Sequence, residues 1–139
     1  MMHKQTFHIV LNDDSVEYII PQCGDIWMCE LPGSSGSVQK GYRPVFILSN
    51  NQNNKHSNTI NVMPITSKMK RKSLPCHVEL EDYEDYGLSE PSMILVEQLT
   101  TISKDCLRRK VGCIENTAVL VRICKAMSVQ FPVLDAVLR

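Results

Sequence analysis

Apolar residues come in short bursts along this chain, and most bursts have the look of half-buried strands rather than helices. Residues 6–11 and 15–20 are rich in β-branched and aromatic side chains and flank Asn12-Asp13-Asp14, the pattern of a hairpin. Pro21 closes it, and Gly24-Asp25 opens a second unit. Strands are then predicted over 26–31, 43–49, 59–66, 76–80, 92–99 and 110–114, with one helical turn inside 101–109. The connections are polar: a glycine- and serine-rich loop at 32–41, a long asparagine-rich turn at 50–58, a basic loop at 67–74 and an acidic connection at 81–91. The period changes near the end. Val119, Ile123 and Met127 fall on one helical stripe after the start signal Glu115-Asn116-Thr117, and Pro132 marks the stop. Many short strands followed by a helix predict a β-rich α+β fold, an antiparallel sheet or small barrel with the helix packed on it.

The chain has 139 residues, enough for one domain that buries roughly two-thirds of its unfolded surface. Its hydrophobic share of 43% and charged share of 22% are those of a globular protein, which excludes wholesale disorder. Apolar runs are short, far from the about 20 residues a membrane helix needs, and the first residues lack a secretory pattern. A cytoplasmic location with no membrane contact is therefore the expectation.

Acidic and basic residues number 15 each, so the chain lacks the overall basic balance usual in nucleic-acid binders. The charges are nonetheless segregated. Lys68, Lys70, Arg71 and Lys72 form one basic cluster, Lys104, Arg108, Arg109 and Lys110 another, and Glu79, Glu81, Asp82, Glu84 and Asp85 an acidic block. Each reads either as a solvated loop or as one part of a separated field. The six cysteines form no C-x-x-C pair, and reduced, mostly buried thiols are expected. His77 follows Cys76, but on a strand their side chains diverge, so neither a metal site nor a Cys–His nucleophile is expected there.

One pair of strands places chemistry. If 43–49 and 59–66 pair antiparallel about a loop centred near residue 54, Val45 faces Pro64, Ile47 faces Val62, and Arg43 faces Thr66. Opposed residues lie about 4.5–5.5 Å apart at Cα and share a face. A guanidinium and a hydroxyl would then meet beneath the loop at 33–41. Arg offers a fork matched to phosphate oxygens and Thr adds a donor, so the pair reads as a phosphate site or as a structural Arg beside a strand-end Thr. The loop lacks G-K-[ST], which argues against a nucleoside triphosphate.

Several segments, in order, resemble the MazF/PemK family of bacterial toxin endoribonucleases. They are Gly24-Asp25, Gly36-Ser37-Val38-Gln39-Lys40-Gly41-Tyr42-Arg43-Pro44-Val45, Ser57-Asn58-Thr59 and Pro64-Ile65-Thr66-Ser67, then Leu74-Pro75-Cys76-His77-Val78-Glu79-Leu80, Tyr86-Gly87-Leu88 and Met93-Ile94-Leu95-Val96-Glu97-Gln98-Leu99. The resemblance covers about two-thirds of the chain, from Cys23 to Ile114. It implies an SH3-like small antiparallel barrel with a C-terminal helix, assembled as a homodimer. Residues 1–22 would be an N-terminal hairpin extension and 23–139 the toxin domain. It further implies cleavage of single-stranded RNA without metal or other cofactor, by 2′-OH attack giving a 2′,3′-cyclic phosphate and a 5′-OH. The cognate partner would be an antitoxin with an acidic, partly disordered tail.

By the same resemblance Arg43 and Thr66 are the catalytic pair. A guanidinium suits the role of electrostatic clamp and is poorly suited to that of base. Glu97 is the candidate base, or else a strand-end carboxylate paired with a neighbour. Gln39, Lys40, Tyr42, Ser67 and Gln98 are candidate RNA contacts, whereas Trp27, inside a strand, is read as core. The sequence departs from the family at Val38, where many relatives carry Glu, at Asn58, where Pro is common, and at Thr100, where Arg is expected. A gyrase-poisoning toxin of the same fold and a non-catalytic RNA- or protein-binding module are the rival readings.

Overall fold

The computed structural model of the chain describes residues 7–10, 16–33, 36–67 and 73–138. Strands β1 (Phe7–Val10) and β2 (Val16–Ile19) pair antiparallel as a two-stranded sheet, from Phe7 opposite Ile19 to Val10 opposite Val16. Seven more strands form one antiparallel sheet: β3 (Asp25–Leu31), β4 (Gly41–Ile47), β5 (Thr59–Ser67), β6 (His77–Leu80), β7 (Ser92–Leu95), β8 (Thr100–Ser103) and β9 (Leu107–Cys113). Their order is β6-β7-β5-β4-β3-β9, with β8 also on β5. No ladder joins β6 to β9 among the described residues, so the sheet is open. With helix α2 (Thr117–Gln130) packed on it, this is the expected fold class.

Alternation along the strands divides the interior in two. Ile26, Phe46, Met63, Ile65 and Ile94 face α2 and meet Val119, Ile123 and Ala126. Trp27, Cys29, Val45, Ile47, Ile60 and Val62 form a second cluster with Ile102 and Leu107. Trp27 is fully buried, and its Nε1 donates to Asp25 Oδ2 at 3.1 Å. Adjacent strand residues thus serve opposite clusters, which is the period-two rule at work.

β5 changes partners along its length. Residues 59–62 pair with β8, 62–64 pair with β4, and 65–67 pair with β7. Pro64, which has no N–H to give, stands in the gap between the β8 and β7 ladders. Across that gap the chain makes a 3-10 turn, Val96–Gln98, where a strand over 92–99 was expected.

The asparagine-rich segment is also not the expected turn. It is a short helix, α1 (Asn51–His56), with Asn50 as its cap accepting from Asn53 N at 2.8 Å. The Asn54 side chain is buried and satisfied by Ser49, whose hydroxyl and carbonyl lie 2.6 and 2.8 Å away. Lys104, expected on a basic surface, is fully buried, and its ammonium donates to the Asn54 carbonyl at 2.5 Å. A helix C-terminus presents unpaired carbonyls and so attracts a cation. Burial lowers the Lys104 pKa.

Other expectations shift by a few residues. The helical turn at 101–109 is a 3-10 turn, Lys104–Cys106, between β8 and β9, and β9 begins at Leu107 rather than 110. Pro132 ends α2 as expected, but α3 (Val133–Leu138) follows it. Ala126 takes the third buried position on α2, and Met127 is only half-buried. Of the six free cysteines only Cys29 and Cys76 are buried; Cys23 and Cys124 are exposed.

Burial pushes the Cys29 thiol up to about 12, with its neighbour Cys106 adding to the effect and Arg108 opposing it. The unfolded thiol ionises near 9.0, so native and unfolded chains hold this proton equally below that pH. Above it the unfolded chain loses the proton first, and stability falls as pH rises toward about 12, by at most about 1.4 kcal/mol per pH unit. Urea denaturation of Cys29→Val over this range should show a shallower loss than wild type. Equal slopes would refute the assignment.

Candidate active site

The predicted register of β4 on β5 is the observed one: Val45 faces Pro64, Phe46 faces Met63 and Ile47 faces Val62. The ladder stops there. Beyond Pro64, β5 turns to β7 and Thr66 pairs with Met93, so Arg43 and Thr66 are not opposed as strand partners. Both instead line one cleft of about 490 Å3. Its walls are Met28 of β3, Tyr42–Pro44 of β4, Ile65–Ser67 of β5, the segment 87–90, and Arg109 and Val111 of β9, with Gln39 at the edge.

The wall formed by 87–90 depends on a close backbone approach. Gly87 has φ 78°, and a Cβ there would lie 2.2 Å from the Val111 carbonyl oxygen. Gly112 is equally tight against Tyr86, at 2.3 Å. Two side-chain-free positions let the segment lie directly on β9.

Arg43 is half-buried, and its Nε donates to the Lys40 carbonyl at 2.7 Å. This fixes the stem and leaves both Nη groups without a partner among the described residues. Thr66 is buried at 6% exposure in the cleft floor, Ser67 is half-buried beside it, and Tyr42 is 54% exposed at the rim. Gln39 reaches the cleft with a buried Oε1 that has no partner among the described residues. A buried acceptor left open is costly unless a ligand or water donates to it. Lys40 is exposed and does not line the cleft.

Gln98 also lies outside the lining, and its amide is engaged. Oε1 accepts from Gln39 N at 2.7 Å and Nε2 donates to Ser37 O at 3.2 Å, so this side chain holds the glycine-rich loop. The first basic cluster, Lys68, Lys70, Arg71 and Lys72, falls outside the described residues. The second is dispersed. Lys104 turns inward, Arg108 donates to the Asp105 carbonyl, Lys110 lies 3.4 Å from Asp25, and Arg109 alone of the four lines the cleft.

Glu97 faces away from the cleft lining into a separate cluster. His77 Nε2 lies 2.5 Å from Glu97 Oε2, and the Cys76 thiol donates to the same oxygen at 3.3 Å. Cys76 and His77 converge, contrary to expectation, because β6 starts only at His77 and Cys76 still belongs to the preceding turn. The three donor atoms lie within 4.8 Å of one another, close enough for a metal ion. The His77 tautomer speaks against that use. Nδ1 accepts from Leu74 N at 3.1 Å, which puts the ring proton on Nε2, where it is donated to Glu97. A metal ligand needs that lone pair free. Burial and the bond to Glu97 also raise the Cys76 thiol pKa, which keeps the sulfur protonated. The imidazole 15N shifts of His77 should therefore report the Nε2–H tautomer, unchanged by one equivalent of zinc. An Nδ1–H pattern, or zinc-induced loss of the Nε2 proton, would refute this arrangement.

Residues 22–130 match the family model described as PemK-like, MazF-like toxin of type II toxin–antitoxin system. The Endoribonuclease MazF of Staphylococcus saprophyticus is 40% identical over 87 residues, covering 63% of this chain and 72% of that protein. In fold the chain is similar to MazF from Deinococcus radiodurans, with TM-score 0.68 and 19% identity over 82% of this chain and 98% of that one. A mycobacterial endoribonuclease solved in complex with its cognate antitoxin superposes with TM-score 0.61 at 22% identity, covering 81% of this chain and 95% of its own. The matched region holds the cleft, the glycine-rich loop and the 3-10 turn together, and the chain belongs to the PemK/MazF family of toxins of type II toxin–antitoxin systems.

Proposed function

We propose that this chain is an endoribonuclease that cuts single-stranded RNA, and that Arg43 and Thr66 act on the scissile phosphate. The carrying observation is that these two residues line one cleft while the Arg43 fork stays open to a ligand. The 40% identical relative named Endoribonuclease MazF supports the reading. In the reaction the ribose 2′-oxygen attacks phosphorus as its proton passes to a base. The P–O5′ bond breaks, the leaving oxygen takes up a proton, and a 2′,3′-cyclic phosphate and a 5′-OH result. Negative charge grows on the phosphoryl oxygens, and an oriented guanidinium stabilises it without a metal. Thr66 adds a neutral donor. Gln39, Tyr42 and Ser67 contact the RNA within the cleft, and Lys40 draws its backbone toward the loop.

Two carboxylates are suited by chemistry to accept the 2′-OH proton. Glu90 lines the cleft, whereas Glu97 is bonded to His77 and Cys76. The reading therefore gives Glu90 the proton and Glu97 a supporting part, anchoring the turn that presents Gln98. Antitoxin complexes among the structural neighbours support a cognate antitoxin as the partner, and its acidic tail would compete for Arg43 and Lys40. A homodimer completes the proposal, with residues 23–139 as the toxin domain behind an N-terminal hairpin extension.

Single-turnover cleavage of RNA in excess chelator tests the reading, with 5′-OH end mapping of the products. Arg43→Ala should slow cleavage by about 10²–10³ or more while circular dichroism stays unchanged. Arg43→Lys should recover little, since an ammonium lacks the fork. Thr66→Ser should retain most of the rate and Thr66→Ala less. Normal cutting by a folded Arg43→Ala protein would refute the assignment, and cutting that requires a divalent ion would refute the metal-free step.

The pH–rate profile separates the carboxylates. Glu90→Gln should lose the acidic limb of that profile. Glu97→Gln should keep the limb and lower thermal stability, because it weakens the charge-assisted bond to His77. The reverse pattern would return the role of base to Glu97.

A further inference from the structure

We infer that Arg109 forms a second phosphate subsite, which grips a backbone phosphate next to the scissile one on the same RNA strand. This rests on the nuclease reading above and extends the site along the substrate.

The backbone places Arg109 in the cleft through a local irregularity. Arg109 stands opposite Met28, and Met28 stands opposite Pro44, so the three form one row across β9, β3 and β4. The register shifts between Met28 and Cys29, and Leu107 rather than Arg108 faces Cys29. Leu107 and Arg109 are two apart, and regular alternation would put both on one face. The bulge separates them: Leu107 packs with Cys29 in the second core cluster, while Arg109 follows Met28 into the cleft. Bulges commonly re-aim a side chain beside a functional site.

Charge and distance agree with this use. Arg109 is exposed and has no hydrogen bond or ion pair among the described residues, unlike Lys104, Arg108 and Lys110 of the same run. Neighbouring strands lie about 4.8 Å apart, so the Arg109 and Pro44 backbones are about 10 Å apart across β3. Arg43 directly precedes Pro44. The two guanidiniums thus enter the cleft from β4 and from β9, two strands away, which suits two neighbouring phosphates of one extended strand. Glu90 lines the same cleft and disfavours a lone anion there, which suits a ligand held at two phosphates around it.

The test uses a 2′-fluoro-substituted single-stranded RNA, which keeps the phosphates but has no attacking hydroxyl. Its affinity is measured at several salt concentrations for wild type, Arg109→Ala and Arg109→Lys, alongside cleavage of ordinary RNA. Arg109→Ala should weaken binding across sequences, raise KM, and flatten the plot of log affinity against log salt by about 0.7, the loss of one contact to a single strand. Arg109→Lys should keep the wild-type slope, because the charge remains. Unchanged affinity and slope in Arg109→Ala, with wild type cutting RNA normally, would overturn the subsite and leave the nuclease reading intact. Weaker binding of a glutamate-rich peptide with unchanged RNA binding would assign Arg109 to a protein partner and overturn it as well. Failure of wild type to cut or bind single-stranded RNA would overturn the nuclease reading itself and the subsite with it.

Discussion

The partner change along β5 is the constraint on which the rest of the site depends. A strand has two edges, and β5 gives one to β4 and divides the other between β8 and β7. The division falls at Pro64, where the missing N–H makes an unpaired position inexpensive. The chain that joins β7 to β8 must cross this gap without a ladder, and it does so as the 3-10 turn Val96–Gln98. That turn sends Glu97 to one side, where His77 and Cys76 bind it, and Gln98 to the other, where it holds Ser37 and Gln39. On the other edge the β4 ladder ends at the same Pro64, so that Arg43 and Thr66 become two walls of a cleft rather than neighbours in a ladder.

The cleft combines a firm floor with an adjustable edge. Thr66 and Ile65 lie on a central strand, and the 87–90 wall is fixed by the approach of Gly87 to Val111. The edge is a loop whose holds include the Gln98 amide and the bond from Arg43 to Lys40. Each such bond contributes only about 1 kcal/mol net, because water offers an alternative partner. A ligand that offers Gln39 Oε1 the donor it lacks would compete with these bonds for the loop, against a floor held by the sheet. Arg43 belongs to both parts, anchored in β4 and tethered to the loop, so a shift of the loop also changes the pose of its guanidinium.

What the sequence disclosed, it disclosed through periodicity. The register of β4 on β5 followed from the position of the intervening loop alone, and alternation correctly assigned Trp27 to the core. The failures share one cause: tertiary partners overrode local pattern. The run 50–58 looks like a turn because asparagine has low helix propensity, yet Asn50 caps α1, Ser49 satisfies Asn54, and Lys104 sits on the helix end. Lys104 looks exposed until that helix exists to receive it. Cys76 and His77 diverge only if the strand begins one residue earlier than it does. Arg109 was visible only as a member of a charge run, since nothing in the residues 107–110 announces the bulge that separates it from Leu107. The candidate pair Arg43 and Thr66 was legible; the wall that completes their cleft was not, because it comes from 87–90 and β9, remote in sequence.

Zero formal charge is no obstacle to an anion site, because the field at a ligand depends on where charges sit and whether they are already paired. Of the four cations at 104–110, one is buried against a helix end, one is turned onto its own turn, and one is held by Asp25. These three contribute little to the cleft. Arg43 is the opposite case: among the described residues its one bond runs from Nε to the carbonyl of Lys40, and no carboxylate pairs with it. Low-dielectric walls formed by Met28, Pro44, Ile65 and Val111 strengthen what remains, because less water screens it. The arrangement makes a small number of unpaired cations count for more than a larger number spread over a surface. It also explains why composition gave no hint of it: the sum over the chain counts every paired and buried charge with the same weight as the two unpaired guanidiniums that line the cleft.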